Sequence, residues 1–371
     1  MLRTMALVAA FVFTAPLFGQ EAQPPVTPAE KQTELDRTAP VLLARYDVPS
    51  VGVAYIENGE IAFVRHYGFQ TWGYPANEET LYNVASLTKP ITAEVVLRLI
   101  EEGHLTLATP LADHHTEDDV ADDPRIRQLT PELVMRHRTG FPNWRYQTDG
   151  VLTFSHDPDT ETQYSGEGYE WLLKAAQAAA GEDFETSARR LLFDPAQMKF
   201  TSYTRTKYFP YRTAAPYKAG EAVYDVIRTE PTASDDARTT AREYAQFVLD
   251  VFEGDRISET LRTRQSTIVH SSHEHPQCDG SDGAPAFCPQ NEGWGLGWFI
   301  HDYGDRKILQ HSGGDQGEAS LAIYDPVAKR GVVALTNGAE GHRVMTRVVG
   351  QLFGDPRVEE YFVSLSDGIG N

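Results

Sequence analysis

The stretch YNVASLTKPITAEVVLRLIEEGHL, residues 82–105, places Ser86 three residues before Lys89 at the start of an apolar segment. Apolar residues recur over 91–102 with the spacing of one helix face, and Gly103 follows at a position where helices commonly end. Residues three apart on a helix lie on the same face, so the ammonium group of Lys89 can reach the hydroxyl of Ser86. The stretch therefore predicts either a serine beside a buried base or a helix cap followed by an unrelated surface lysine.

The first of these interpretations makes a chemical demand on the lysine. A serine is a weak nucleophile until a base takes its proton, and lysine is a base only when it is neutral. Lowering the pKa of Lys89 from about 10.4 to near 7 costs roughly 4–5 kcal/mol, which burial or nearby positive charge would have to impose. A helix beginning at Ser86 would also direct backbone N–H groups at a developing negative oxygen. A nucleophilic Ser86 therefore requires a buried Lys89.

The segments on either side of this helix predict the rest of the fold. Upstream, SVGVAYIENGEIAFVRHYGF (50–69) consists of two β-rich runs joined by Asn58-Gly59, a pair typical of hairpin turns. Downstream, the β-rich runs GWGLGWFIH, RKILQHS, EASLAIYDP and RGVVALTNG lie within 293–338, and a closing helix is predicted at 342–353. The intervening chain is mostly helix and loop, with its clearest helices in GYEWLLKAAQAAAG and TTAREYAQFVLDVFEG.

This order of strands, helices and strands predicts the α+β class, with one antiparallel sheet flanked by helices and a large, mostly helical insertion. We expect residues 21–371 to form a single catalytic domain. Its α/β part would comprise about 28–80 plus 281–360, and its mostly helical part about 81–280. Ligand sites tend to lie in the cleft between two such parts.

The N-terminal residues 1–20, MLRTMALVAAFVFTAPLFGQ, are typical of a signal peptide, with Arg3 before a short apolar run at 6–18. That run is too short to span a bilayer, and no cysteine follows it for a lipid anchor. We therefore expect a periplasmic or secreted protein without stable membrane insertion after signal removal, and a helix starting near Thr27. The net charge of −20 and the lack of a basic patch argue against a nucleic acid partner.

Three loop segments carry side chains that can form bridges or bind metals. The only cysteines, Cys278 and Cys288, lie in CDGSDGAPAFC, where an oxidising compartment favours a disulfide over two free thiols. HHTEDDVADD (114–123) and HSSHEHPQC (270–278) offer metal-binding groups, but such runs usually face water and neither completes a spaced ligand set. We therefore expect solvated loops, no metal and no cofactor. No sequence feature indicates an oligomeric state.

Two further motifs accompany SLTK, namely YSGEGYEWLL (164–173) and HSGGDQGEASLAIYDP (311–326). Together the three resemble the motif set of the penicillin-recognising serine hydrolases. The branch they are similar to comprises class C β-lactamases, D-alanyl-D-alanine carboxypeptidases, and related esterases and D-aminopeptidases. Other segments agree, including VMRHRTGFPNW (134–144) and LLFDPAQMKFTSY (191–203), so that the resemblance covers about 28–355.

The resemblance implies roles for the residues of the first two motifs. Ser86 would be the acylated nucleophile, and Lys89 would lower the barrier to its deprotonation. Tyr164 would lie across the cleft and carry the proton between Ser86 and the leaving group. A phenol is a base at neutral pH only if a cation stabilises its phenolate. Whether Lys89 or Tyr164 is the resting base stays open at this point.

The third motif would bind the substrate. The resemblance places His311 and Gly313 on the edge strand that lines the cleft, where the glycine lets a substrate backbone come close. The backbone N–H groups of Ser86 and Gly314 would form the oxyanion hole. The reaction implied is acyl transfer, with attack on the substrate to give an acyl-enzyme and then attack by water.

The chain departs from the family pattern at two positions. Gly166 stands where the second motif usually has asparagine, so a hydrogen bond to substrate worth about 0.5–1.5 kcal/mol is missing, which favours small esters over β-lactams. His311 stands where class C β-lactamases carry lysine, as in the carboxypeptidase and D-aminopeptidase branch. A partly charged histidine predicts that activity on anionic substrates falls as the pH rises through the pKa of His311.

These observations predict an exported serine hydrolase that acts through an acyl-enzyme on a small ester or amide, as an esterase or D-amino-acid peptidase. The alternatives are a class C-like β-lactamase or D-alanyl-D-alanine carboxypeptidase and, more remotely, a non-catalytic protein that binds penicillin or wall fragments. A Gly-x-Ser-x-Gly elbow, the mark of α/β-hydrolases, does not occur in the sequence. The expected partner is thus a small ester, amide or peptide substrate.

Overall fold

The computed structural model describes residues 26–281 and 283–368. The predicted signal segment, residues 1–20, lies outside this part of the chain. Among the described residues, no helix combines the length and the apolar character that crossing a bilayer requires.

An antiparallel sheet, eight-stranded within the described residues, forms the centre of the fold. The strands of the structure are β1 (Ser50–Glu57), β2 (Glu60–Thr71), β3 (Tyr74–Pro75), β4 (Tyr82–Asn83), β5 (Tyr217–Lys218), β6 (Glu221–Ala222), β7 (Arg238–Thr239), β8 (Asn291–Trp294), β9 (Phe299–Asp302), β10 (Lys307–Asp315), β11 (Glu318–Asp325) and β12 (Arg330–Thr336). The order in the main sheet is β3-β2-β1-β12-β11-β10-β9-β8, so β1 pairs with β12 and joins strands from both ends of the chain. The predicted α+β class with an antiparallel sheet is confirmed.

Helices cover both faces of this sheet. The helices of the described residues are α1 (Pro28–Tyr46), α2 (Thr88–Glu101), α3 (Pro131–Met135), α4 (Gly166–Ala180), α5 (Phe184–Ala188), α6 (Ala241–Glu253), α7 (Glu259–Gln265), α8 (Gly341–Phe353) and α9 (Pro356–Gly368). Val53 and Tyr55 of β1 point into the core shared with α1, α8 and α9, whereas Ala54 and Ile56 point into the core shared with α2 and α6. Because both faces are buried, β1 carries an uninterrupted run without charged side chains from Val51 to Ile56 instead of alternating.

Local signals account for several boundaries. Thr27 caps α1 as predicted, because its hydroxyl accepts from the Glu30 backbone N–H at 3.3 Å and its own N–H donates to the Glu30 carboxylate at 2.8 Å. Asn58 and Gly59 adopt φ values of 56° and 78° between β1 and β2. Two consecutive left-handed residues are what a tight hairpin turn requires, so the predicted hairpin is confirmed.

The structure differs from the predictions at two places in the C-terminal part. The run predicted as one strand, 293–301, is two strands, β8 and β9, joined by a bend in which Gly297 has φ 84°. A Cβ at Gly297 would lie 2.5 Å from the Ala93 Cβ of α2, so the bend depends on close packing against a distant helix. Helix α9 was not predicted; it packs its Val358, Tyr361 and Phe362 side chains into the core beside α8.

Candidate active site

A strained turn holds Ser86 at the front of α2. Residues 85–87 form a single 3₁₀ turn, and Ala85 adopts φ 45°, which is uncommon for a residue with a side chain. The side chain of Asn83 accepts from the Ala85 N–H at 2.9 Å, and the Thr88 hydroxyl donates to the Ala85 carbonyl at 2.7 Å. These bonds satisfy the turn from both sides and fix the direction of the Ser86 side chain.

Lys89 meets the burial requirement. Its side chain is fully buried, and its Nζ donates to Ser86 Oγ at 3.2 Å and to the Ser234 carbonyl at 2.9 Å. Burial lowers the pKa of Lys89 to about 8, although the carboxylates of Asp235 and Glu170 oppose that shift. The lysine is therefore much closer to neutral at physiological pH than a surface lysine would be.

Tyr164 lies on the other side of the same nitrogen. The Lys89 Nζ is 4.7 Å from the centroid of its ring, and Tyr164 and Ser86 face the same cavity. Burial raises the pKa of Tyr164 above its ordinary value, and the nearby Ser86 hydroxyl offsets only part of that rise. The structure thus brings Ser86, Lys89 and Tyr164 together, with the phenol protonated at neutral pH.

Aromatic packing fixes the position of Tyr164. The rings of Tyr164 and His137 are 4.2 Å apart between centroids, and Trp294 packs edge-on against His137 at 4.4 Å. The Ser165 N–H donates to Nδ1 of His137 at 3.1 Å. Because His137 is fully buried, its pKa lies well below the ordinary value, and it packs in the wall of the site as an uncharged ring.

His311 is uncharged, contrary to the sequence prediction of a partly charged side chain. It is 2% exposed, and its Nδ1–H donates to the Ser312 carbonyl at 2.7 Å. Burial, and then the nearby Lys89, lower the pKa of His311 to about 3. The prediction that its titration controls activity near neutral pH is therefore wrong, because the imidazole stays neutral throughout that range.

The two glycines of β10 have different surroundings. A Cβ at Gly313 would lie 2.4 Å from the Val84 carbonyl and 2.8 Å from the Ser86 nitrogen. Gly313 therefore lets β10 lie against the turn that carries Ser86; the sequence interpretation had assigned that space to a substrate. At Gly314 the nearest atom to a Cβ would be 4.0 Å away, so this residue faces open space.

Gly166 could not carry the missing asparagine without rearrangement. A Cβ there would lie 2.9 Å from the Trp144 ring. Its N–H donates to Asn143 Oδ1 at 2.8 Å, which orients the amide of Asn143 at the edge of the cleft. Sequence reasoning missed Asn143, although the quoted segment at 134–144 contains it.

These elements enclose a cleft of about 260 Å³. Its lining comprises Ser86, Asn143, Tyr164, Glu274, Trp294, Gln310, His311, Ser312, Gly313 and Gly314. The predicted site residues Ser86, Tyr164, His311, Gly313 and Gly314 therefore meet at one cavity, with Lys89 buried beneath Ser86 and Gly166 behind Asn143. Glu274 and Trp294 were not predicted as site residues, although the quoted segments HSSHEHPQC and GWGLGWFIH contain them.

The 270–290 loop reaches the cleft through Glu274. Cys278 and Cys288 form a disulfide within it. His275 uses both ring nitrogens, since its Nδ1 accepts from the Gln277 N–H at 3.1 Å and its Nε2 bonds Ser364 Oγ at 2.9 Å. Both ring nitrogens of His275 are therefore occupied by protein partners.

A family model described as Beta-lactamase matches residues 35–350, and the chain belongs to the beta-lactamase family. Members of this superfamily, which includes the penicillin-recognising enzymes, are serine hydrolases. The chain is 23% identical over 342 residues to Penicillin-binding protein 4 of Amycolatopsis lactamdurans, covering 85% of this chain and 87% of that protein. It is 21% identical over 330 residues to Protein flp of Staphylococcus aureus, covering 83% of this chain but 63% of that relative's length.

Two solved structures share the fold. The octameric penicillin-binding protein homologue from Pyrococcus abyssi aligns with a TM-score of 0.71 at 19% identity, covering 90% of this chain and 80% of that one. The D-alanine carboxypeptidase AmpC from Burkholderia cenocepacia aligns with a TM-score of 0.71 at 17% identity, covering 88% and 99%. At these identities the likeness establishes the fold and leaves the substrate to be argued from the site.

Proposed function

We propose that this chain is a serine hydrolase that transfers the acyl group of a small ester or amide through Ser86. The observation that carries the proposal is the fully buried Lys89, whose Nζ lies 3.2 Å from Ser86 Oγ with the ring of Tyr164 beside it. A protein that only binds its ligand has no need of an amine whose pKa is lowered next to a hydroxyl.

The two opposite pKa shifts assign the resting base to Lys89. Burial lowers the pKa of Lys89 to about 8 and raises that of Tyr164, so the ammonium loses its proton long before the phenol does. In the acylation step, Ser86 Oγ bonds to the acyl carbon while its proton passes to Lys89. Tyr164 donates its proton to the leaving group as the old bond breaks and regains one through Lys89. Water then attacks the acyl-enzyme and releases the acid and Ser86.

The strand β10 supplies the other half of the reaction site. Gly313 lies against the turn that carries Ser86, and Gly314, the next residue, lines the same cleft as Ser86. We assign the backbone N–H groups of Ser86 and Gly314 to the oxyanion hole, where preorganised donors stabilise the charge that develops on the carbonyl oxygen. This arrangement needs no cofactor.

The cleft favours esters over carboxylate-bearing substrates. His311 is neutral, so it offers no full positive charge to the carboxylate of a β-lactam or a D-alanyl peptide. Gly166 provides no amide donor, and among the described residues of the lining the side-chain amides are those of Asn143 and Gln310. We therefore place esterase or D-amino-acid peptidase activity first, and β-lactamase or D-alanyl-D-alanine carboxypeptidase activity second.

We also propose that the protein is exported. Residues 1–20 have the composition of a signal peptide, and the Cys278–Cys288 disulfide is of a kind that persists in oxidising compartments. Detection of the protein in a periplasmic or culture fraction, with an N-terminus beyond residue 20, would test this.

The test of the activity is a parallel rate measurement on p-nitrophenyl butyrate, nitrocefin and an acyl-D-Ala-D-Ala peptide. We expect turnover of the ester to exceed that of the other two, and Ser86→Ala to abolish all of it. Turnover that survives Ser86→Ala would overturn the proposal. If neither an ester nor a fluorescent penicillin acylates Ser86, the chain is a non-catalytic binding protein instead.

A further inference from the structure

The charge on the lining of the cleft is acidic, while the amine of Lys89 lies buried beneath Ser86. Among the described residues that line it, none is lysine or arginine, and the one ionisable carboxyl group is that of Glu274. Asp315, directly after Gly314 at the end of β10, adds an exposed carboxylate beside the opening. The chain as a whole carries a net charge of −20, so its field attracts cations and repels anions.

Glu274 is placed to contact a ligand. Its side chain is exposed in the cleft, and its protein partner is the Gln310 amide, which donates to one carboxylate oxygen at 3.3 Å. The Cys278–Cys288 disulfide and the hydrogen bond between His275 and Ser364 hold the same loop. The backbone that carries the Glu274 carboxylate is therefore anchored.

Three rings, those of Tyr164, Trp294 and His311, line the same cleft as this carboxylate. Ring centroids are separated by 5.7 Å between Tyr164 and Trp294, by 5.4 Å between Trp294 and His311, and by 6.2 Å between Tyr164 and His311. Trp294 is 7% exposed and is held edge-on against Phe299 at 5.2 Å. Rigid aromatic faces near a carboxylate form the type of surface that attracts a quaternary ammonium group through cation–π contacts and charge.

We propose, on the basis of the proposed function, that the substrate of this hydrolase carries a cationic nitrogen that binds between the Glu274 carboxylate and the rings of Tyr164 and Trp294. The nitrogen lies close to the bond that is cleaved, because Tyr164 contacts both the cation and Ser86. The substrate class is an ester or amide with a quaternary ammonium or amine group, such as a choline-type ester. A neutral ester of the same shape is bound more weakly.

A pair of isosteric esters isolates the charge. Butyrylcholine and 3,3-dimethylbutyl butyrate differ only in the replacement of N⁺ by carbon, and the quaternary nitrogen does not titrate. Their dissociation constants are measured on the Ser86→Ala variant, which cannot be acylated, at pH 8. Partial desolvation within the cleft, and then the charge of Glu292, raise the pKa of Glu274 to about 7, so most of its carboxylate is ionised at pH 8.

We expect the choline ester to bind about tenfold more tightly than its neutral isostere, a ratio consistent with one carboxylate and two aromatic contacts. Adding Glu274→Gln should bring the ratio close to one. The matched control is Glu60→Gln, which should leave the ratio unchanged. Glu60 is an exposed glutamate at the first position of β2. Equal binding of the two esters, or a ratio that Glu274→Gln does not alter, would overturn the inference.

Hydrolysis of p-nitrophenyl butyrate by the unmodified protein separates this inference from the proposed function. Ser86-dependent hydrolysis combined with equal binding of the two isosteres overturns the cation site alone. Preferential binding of the choline ester without any hydrolysis supports the cation site and overturns the catalytic role of Ser86.

Discussion

The two walls of the cleft are built in different ways. The wall that carries Ser86 and Lys89 consists of a strained turn and the start of α2, which lie in the main core and are satisfied by buried hydrogen bonds. The wall that carries Glu274 belongs to an irregular loop, which is held mainly by one disulfide and one histidine contact. Reacting groups must keep their geometry within a fraction of an ångström, whereas a loop can vary and so alter the choice of substrate.

The largest effect is expected from removing the amine of Lys89 in the wall that carries Ser86. In Lys89→Met the side chain keeps its volume and apolar stem but cannot accept the proton of Ser86. We expect kcat for p-nitrophenyl butyrate to fall by about 10³-fold, within the range observed for loss of a general base. A thermal melt checks that the fold is retained. A fall of less than tenfold would contradict the assignment of Lys89 as the base.

The pH profile gives a second view of the same wall. Lys89 acts only when neutral, and with a pKa of about 8 its neutral fraction increases roughly tenfold between pH 7 and pH 9. The rate should therefore rise with pH and level off above the pKa of Lys89. Whatever its effect on the rate, His311→Gln should leave the pH of this rise unchanged, because His311 is neutral across the whole range. If the pH at which the rate rises shifts in His311→Gln, the histidine and not the lysine titrates in this range.

Glu170 tests how the lysine is positioned. Its carboxylate accepts from the N–H groups of Ala233 at 3.0 Å and Ser234 at 3.1 Å, and the Ser234 carbonyl in turn holds Lys89. We expect Glu170→Gln to reduce kcat by roughly three- to tenfold through loss of charge-assisted hydrogen bonds. The negative charge of Glu170 raises the pKa of Lys89, so removing that charge should also shift the rise of the rate to lower pH.

The shift of the pH profile distinguishes an effect on Lys89 from general damage to the fold. Glu230→Gln, at an exposed loop position, is the control and should change neither the rate nor the profile. If Glu170→Gln lowers the rate but leaves the pH profile unchanged, this carboxylate has a purely structural role.

The features that sequence could predict are those coded locally. The Thr27 cap, the Asn58-Gly59 turn and the apolar face of α2 each depend on residues within one turn or hairpin. The spacing of Ser86 and Lys89 likewise implies contact along one helix. Burial of the lysine was a condition that only the packed structure could meet.

The features that escaped prediction depend on contacts between distant segments. Gly297 bends the chain between β8 and β9 because Ala93 of α2 occupies the space beside it. Trp144 similarly fills the space next to Gly166, so the absence of an asparagine there reflects packing as well as chemistry. Glu274 enters the cleft from a loop that is distant in sequence from the three motifs, and the surrounding run HSSHEHPQC suggested only a possible metal site.

The loop wall should respond to a different change, with the smallest effect on the basal rate. Replacing Cys278 and Cys288 by serine removes a bridge with a sequence separation of 10, which should lower the free energy of unfolding by roughly 2–3 kcal/mol. Because Ser86 and Lys89 are held elsewhere, hydrolysis of p-nitrophenyl butyrate at 25 °C should change less than twofold. The preference for butyrylcholine should decrease, since the loop that carries Glu274 loses its tether. If instead the rate of p-nitrophenyl butyrate hydrolysis falls severely while the preference for butyrylcholine is kept, the two walls are not independent. The disulfide would then support the catalytic side of the cleft as well.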